Sequence, residues 1–116
     1  MHSGNNCGQN FNELIIIDVS DVYHPAQIVS YTMTRPKGLG IDNGTLFVCD
    51  DGLKIFNAAN AQSIMAPQNV LAHYTGIDGY DVIPLGNILI MVAEDGLYQY
   101  DYSNLNNINL LSVINW

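Results

Sequence analysis

The chain has 116 residues, enough for one domain with a real core. Apolar residues make up 48%, which argues against a disordered chain. The net charge is −8, and Arg35, Lys37 and Lys54 are the only arginine and lysines. That balance disfavours nucleic acid and anionic membrane surfaces as partners, because both are held by clustered cations.

Met1 to Asn10 is polar. It has neither the basic n-region nor the apolar h-region of a signal peptide, so residues 1–11 read as a disordered leader. No apolar run approaches the ~18 residues that a membrane helix needs. Of the two cysteines, Cys7 lies in the leader and Cys49 ends the apolar run Leu46-Phe47-Val48-Cys49. Cys49 reads as a small buried hydrophobe. The spacing gives no reason to pair Cys7 with Cys49, and no CxxC or Cys/His set suggests structural zinc.

Leu14 to Ile17 is a short β-branched run, suited to a strand buried on both faces. Asp18-Val19-Ser20-Asp21 follows as a turn, because its side-chain oxygens accept from nearby backbone. Ala26 to Met33 is the next strand, with Gln27, Val29, Tyr31 and Met33 on one face. Arg35 to Gly38 is a loop and Leu39 to Ile41 a short strand. Asn43-Gly44 between apolar runs is the strongest short hairpin signal, since both positions tolerate positive φ. Thr45 to Cys49 returns, Asp50-Asp51-Gly52 turns, and Leu53 to Phe56 follows.

The second pass is similar. Asn57-Ala58-Ala59-Asn60 replaces the first Asp-rich turn. Residues 61–68 are an insertion with room for one helical turn, limited by Pro67. Asn69 to Tyr74 is a strand and residues 75–79 a loop. Tyr80 to Pro84 and Ile88 to Ala93 form a hairpin. Leu97 to Tyr100 and Ile108 to Ile114 complete the chain, with Asp101-Tyr102-Ser103-Asn104 between them.

Asp51-Gly52-Leu53 recurs as Asp95-Gly96-Leu97, 44 residues on (95 − 51). Asn12 to Asp21 is a weaker copy, another 39 residues upstream (51 − 12). Aligning on Asp-Gly-Leu pairs Leu46 to Asp50 with Ile90 to Glu94. Four strands over roughly 40 residues is the repeat of a propeller blade. The expected fold is therefore all-β: antiparallel four-stranded blades of an incomplete β-propeller. It comprises a half blade over 12–33, a blade over 38–75 and a blade over 79–114. A sandwich of about ten strands is the alternative, but sandwich strands need not repeat. Two and a half blades do not close a ring. The expectation is a piece of a longer propeller, with assembly of several copies into a ring as the alternative. Open blade edges would then be sites of association.

Leu14-Ile15-Ile16-Ile17-Asp18 resembles the Leu-Val-Ile-Val-Asp repeat of the LVIVD-repeat proteins. Asp51 to Asn57 and Asp95 to Asp101 are similar to its Gly-Leu-x-Ile-x-Asp form, departing at Asn57, Tyr98 and Tyr100. The resemblance implies a β-propeller of an exported or surface-anchored bacterial protein. It carries no functional residues across, because the motif is structural.

The acidic turns Asp50-Asp51 and Glu94-Asp95 are the metal candidates, since Ca²⁺ takes six to eight oxygens. Ordinary hairpin chemistry explains them better, so no metal and no cofactor is expected. His24 and His73 have no nucleophile in reach of a recognisable motif, and the glycines near 38–40 and 76–79 precede no phosphate-binding Lys. Asn43-Gly44-Thr45 matches a glycosylation pattern that the turn already explains. Tyr98, Tyr100 and Tyr102 alternate onto one face. They either pack or form a platform for a carbohydrate or peptide partner. Arg35 and Lys37 flank the entrance to a blade's inner strand, as solvated charges or as contacts to an anionic ligand. The expected function is a non-enzymatic scaffold that binds a protein or glycan partner. The alternative is part of a propeller hydrolase or lyase whose site draws on further blades.

Overall fold

The computed structural model describes residues 2–6, 9–60, 63–64 and 67–116. They form three antiparallel sheets. Sheet 1 holds β1 (His2–Asn6), β2 (Gln9–Asp18) and β3 (Ala26–Thr32), in the order β1-β2-β3. Sheet 2 holds β4 (Pro36–Asp42), β5 (Thr45–Asp50), β6 (Leu53–Asn57) and β7 (Val70–Tyr74). Sheet 3 holds β8 (Gly79–Leu85), β9 (Ile88–Ala93), β10 (Gly96–Asp101) and β11 (Asn109–Asn115). Every sheet is an up-and-down meander, so each pairs neighbours in sequence. The chain is all-β, built of blade-like sheets. Among the described residues the helical element is a single 3₁₀ turn, Pro67–Asn69, which runs past the end of the expected insertion and takes in Asn69, expected to begin the next strand.

The leader departs from its expected disorder. His2 to Asn6 pairs with Gln9 to Glu13, so the first sheet has three strands rather than two. An edge strand needs only backbone donors and acceptors, and a polar sequence supplies those without any apolar alternation. Cys7, and with it any pairing to Cys49, lies outside the described residues. Cys49 itself is a free, buried thiol.

The repeat is clearest in the turns. Ser20 N–H donates to Asp18 Oδ1, Ala59 N–H to Asn57 Oδ1, and Ser103 N–H to Asp101 Oδ1, at 2.8, 3.1 and 2.8 Å. Three residues after each of these stands Asp21, Asn60 or Asn104. The carbonyl of that residue accepts from His24, Ser63 or Asn107 respectively, each at 3.1 Å. The Asp or Asn that ends each motif is thus a local turn former. The serine backbone N–H holds the carboxyls of Asp18 and Asp101 below their ordinary range.

Sheet 2 lies between the other two. On one face Leu46, Val48 and Phe56 pack with Leu14 and Met33 of the sheet 1 side. On the other face Phe47, Cys49 and Ile55 pack with Val82, Leu89, Met91 and Tyr102 of the sheet 3 side. That is why Leu46 to Cys49 is apolar without alternation: β5 is buried on both faces. Gly38 and Gly40 let β4 lie directly against β8. A Cβ on Gly40 would stand 2.6 Å from Pro84 Cδ and 2.8 Å from Val82 O. The outer faces of sheets 1 and 3 carry exposed Ile17, Ile83, Leu85 and Ile114.

Candidate functional site

Sheets 2 and 3 are near copies, but their strands superpose on a different register from the one Asp-Gly-Leu suggests. Asp42 pairs with Thr45 and Pro36 with Asp50; the matching pairs are Leu85 with Ile88 and Gly79 with Ala93. The first two strands are therefore offset by 43 (93 − 50). The third is offset by 44 (98 − 54), since Val48–Lys54 corresponds to Met91–Tyr98. The β9–β10 hairpin is one residue longer than β5–β6. The structural counterpart of Asp50 is Ala93, not Glu94. Lys54 corresponds to Tyr98, Phe56 to Tyr100, and Met33-Thr34-Arg35 to Gly76-Ile77-Asp78.

In sheet 2 this position is filled from within. Asp50 is 1% exposed. Its carboxylate accepts from Thr34 N–H at 3.0 and 3.2 Å, from Arg35 N–H at 2.6 Å and from Lys54 Nζ at 2.7 Å. Burial alone would push this carboxyl up. The Lys54 and backbone hydrogen bonds outweigh it and hold it below the ordinary range. Asp50 thus ties the link between sheets 1 and 2 to the end of β5.

In sheet 3 the same position is a cavity of about 370 Å³. Ala93, Met91, Tyr98 and Tyr100 form its wall, the Gly76–Asp78 segment its opposite side, and Glu94 and Asp95 its rim. The rings of Tyr98 and Tyr100 lie nearly parallel, 10° apart with centroids 6.3 Å apart. Tyr98 Oη donates to the Asp95 carboxylate at 2.8–2.9 Å, and this bond raises the tyrosine pKa. Burial, then the Asp95 charge, raises that of Tyr100. The backbone of the rim is fixed by Trp116, whose indole N–H donates to Glu94 O at 3.1 Å.

The tyrosines and the acidic turn expected as candidates therefore divide. Tyr98, Tyr100, Glu94 and Asp95 meet at this cavity. Tyr102 shares their face but lies beyond the end of β10, buried between the sheets. Its ring meets Phe47 edge-on at 4.9 Å and its Oη donates to Asp42 Oδ2 at 3.2 Å. Burial, then Asp42, pushes its pKa up to about 12. Arg35, Lys37, Asp50 and Asp51 border a second cavity of about 270 Å³, with Cys49 in its wall. Burial, then the Asp81 charge, pushes the Cys49 thiol up to about 11, so it is a poor nucleophile. Lys37 Nζ meets Asp78 Oδ1 at 3.0 Å and stands 4.7 Å above the Tyr80 ring.

Among the described residues no three His, Cys, Asp or Glu side chains gather in a way that could hold a metal ion. His24 Nδ1 lies 3.0 Å from Asp21 Oδ2, and His73 Nε2 lies 2.7 Å from the Asp51 carbonyl. No helix among those residues is long and apolar enough to cross a membrane. The residues that sequence reasoning missed are Ala93, Met91 and the Gly76–Ile77 backbone. An alanine signals nothing until the register makes it the counterpart of a buried aspartate. No family model, no curated protein and no solved structure matches this chain.

Proposed function

We propose that this chain is a β-propeller repeat module of the LVIVD kind, and that it works as a non-enzymatic scaffold binding a protein or glycan partner outside the cytoplasm. The cavity at Ala93, Tyr98 and Tyr100 carries the reading. In sheet 2 the equivalent space holds an internal Asp50–Lys54 pair, whereas in sheet 3 two aromatic rings and the rim carboxylates of Glu94 and Asp95, the latter already bonded to Tyr98, line a cavity. The propeller itself is supported by the direct packing of β4 on β8, as inner strands of adjoining blades, and by the three matching Asp or Asn turns.

The test is a solution screen of ¹⁵N-labelled protein against glycans and short peptides, read by amide shifts. Saturable shifts centred on Gly76, Ala93 and Tyr98 are expected. Shifts confined to other surfaces would sink the site. Conversion of any added glycan or peptide into product would replace the scaffold reading with an enzymatic one.

A further inference from the structure

We infer that the cavity between Ala93, Tyr98 and Tyr100 binds a neutral carbohydrate ring; this rests on the binding-module reading above. Sheet 2 shows what the equivalent backbone holds. There, two backbone N–H groups, of Thr34 and Arg35, converge on a carboxylate. In sheet 3 the corresponding backbone, Ile77 and Asp78, borders the cavity, and Ala93 offers no acceptor in place of Asp50. That side of the cavity therefore suits a group that accepts hydrogen bonds. The rim is the opposite: Glu94 and Asp95 are acceptors only when ionised.

Charge then selects among ligand classes. An anion could use the amide side, but it would sit beside the Asp78, Glu94 and Asp95 carboxylates. A cation could use the rim but not the amides. Two of the three carboxylates are already engaged, Asp78 by Lys37 and Asp95 by Tyr98. A hydroxyl donates and accepts at once, so a polyol can satisfy both sides. The stacked rings of Tyr98 and Tyr100 bring apolar surface to the cavity for the C–H groups of a sugar, with a polar tip at each ring. A volume of about 370 Å³ falls in the small-ligand range of ~300–1,000 Å³.

The experiment titrates the intact ¹⁵N-labelled chain with methyl β-glucoside, methyl β-galactoside and diacetylchitobiose. Arginine amide and acetate serve as charged comparators. At least one sugar is expected to give saturable shifts at Gly76, Ile77, Ala93 and Tyr98, stronger than either charged probe. Ala93→Asp rebuilds the acceptor of sheet 2 inside the cavity and should weaken that sugar by ~10-fold or more. Tyr100→Leu, which keeps an apolar side chain but removes the ring, should weaken it several-fold. It decides the matter if Ala93→Asp fails to fold. Sugar shifts that survive whichever of these variants keep the native spectrum elsewhere would overturn the inference. Saturable shifts with a charged probe and none with a sugar would overturn it too, while leaving a protein-binding module standing. Silence from every probe would overturn both.

Discussion

At the scale of single residues, Asp50 carries the most. Its carboxylate joins two backbone amides and the half-buried Lys54 ammonium at a point with almost no solvent. Removing one partner of such a pair strands the other, which costs ~3–5 kcal/mol in comparable sites. Asp50→Asn should therefore lower the urea midpoint sharply at pH 7. The pH dependence has a defined sign. The folded pKa of Asp50 lies below its ordinary value of 3.8, so its stabilisation is complete above that value. It drains away as pH falls through the folded pKa. The stability gap between wild type and D50N should shrink on acidification from neutrality, and an unchanged gap would refute the role. Residue-level legibility was uneven. The Asp-Val-Ser-Asp and Asp-Tyr-Ser-Asn turns could be read because a side-chain oxygen acts on its own neighbours. The Asp50 clamp could not, because its partners Thr34 and Arg35 are 16 and 15 residues away, in another sheet's connection.

At the scale of elements, glycines set how closely the strands approach. Gly40 faces Pro84 and the Val82 carbonyl with no room for a methyl group. Gly40→Ala must push β4 off β8, and overpacking of this kind costs ~1–3 kcal/mol. A fall in melting temperature of several degrees is expected by calorimetry, whereas Gly44→Ala, whose added methyl meets nothing within 4 Å, tests backbone strain alone at φ 77°. The Asn43-Gly44 hairpin was legible because both residues hold positive φ, the geometry this dipeptide favours. Two features were hidden. β1 has no apolar alternation to announce it. The one-residue difference between the β5–β6 and β9–β10 hairpins disappears when the chain is aligned on Asp-Gly-Leu, since that match fixes the turn and not the strands. With Glu94 set against Asp50, the cavity has no visible origin; with Ala93 there, it does.

At the scale of the molecule, the terminal sheets present apolar outer faces to solvent, Ile83, Leu85 and Ile114 on one and Ile17 on the other. Such faces favour association, and a net charge of −8 opposes it. Raising salt from low to moderate ionic strength should screen the repulsion and increase the mass measured by light scattering. Ile83→Lys with Leu85→Lys should abolish that increase without loss of fold. The middle sheet has the contrary fate. Both faces of β5 are covered, and so are Leu53, Ile55 and Phe56 of β6. Water can reach its amides only after one flanking sheet has come away. In deuterium the hydrogens of β5 and β6 should be the last to exchange, at a rate set by the opening of the whole assembly, while β3 and β11 exchange early through local fraying. The position of one sheet between two others thus turns a spatial order into an order in time.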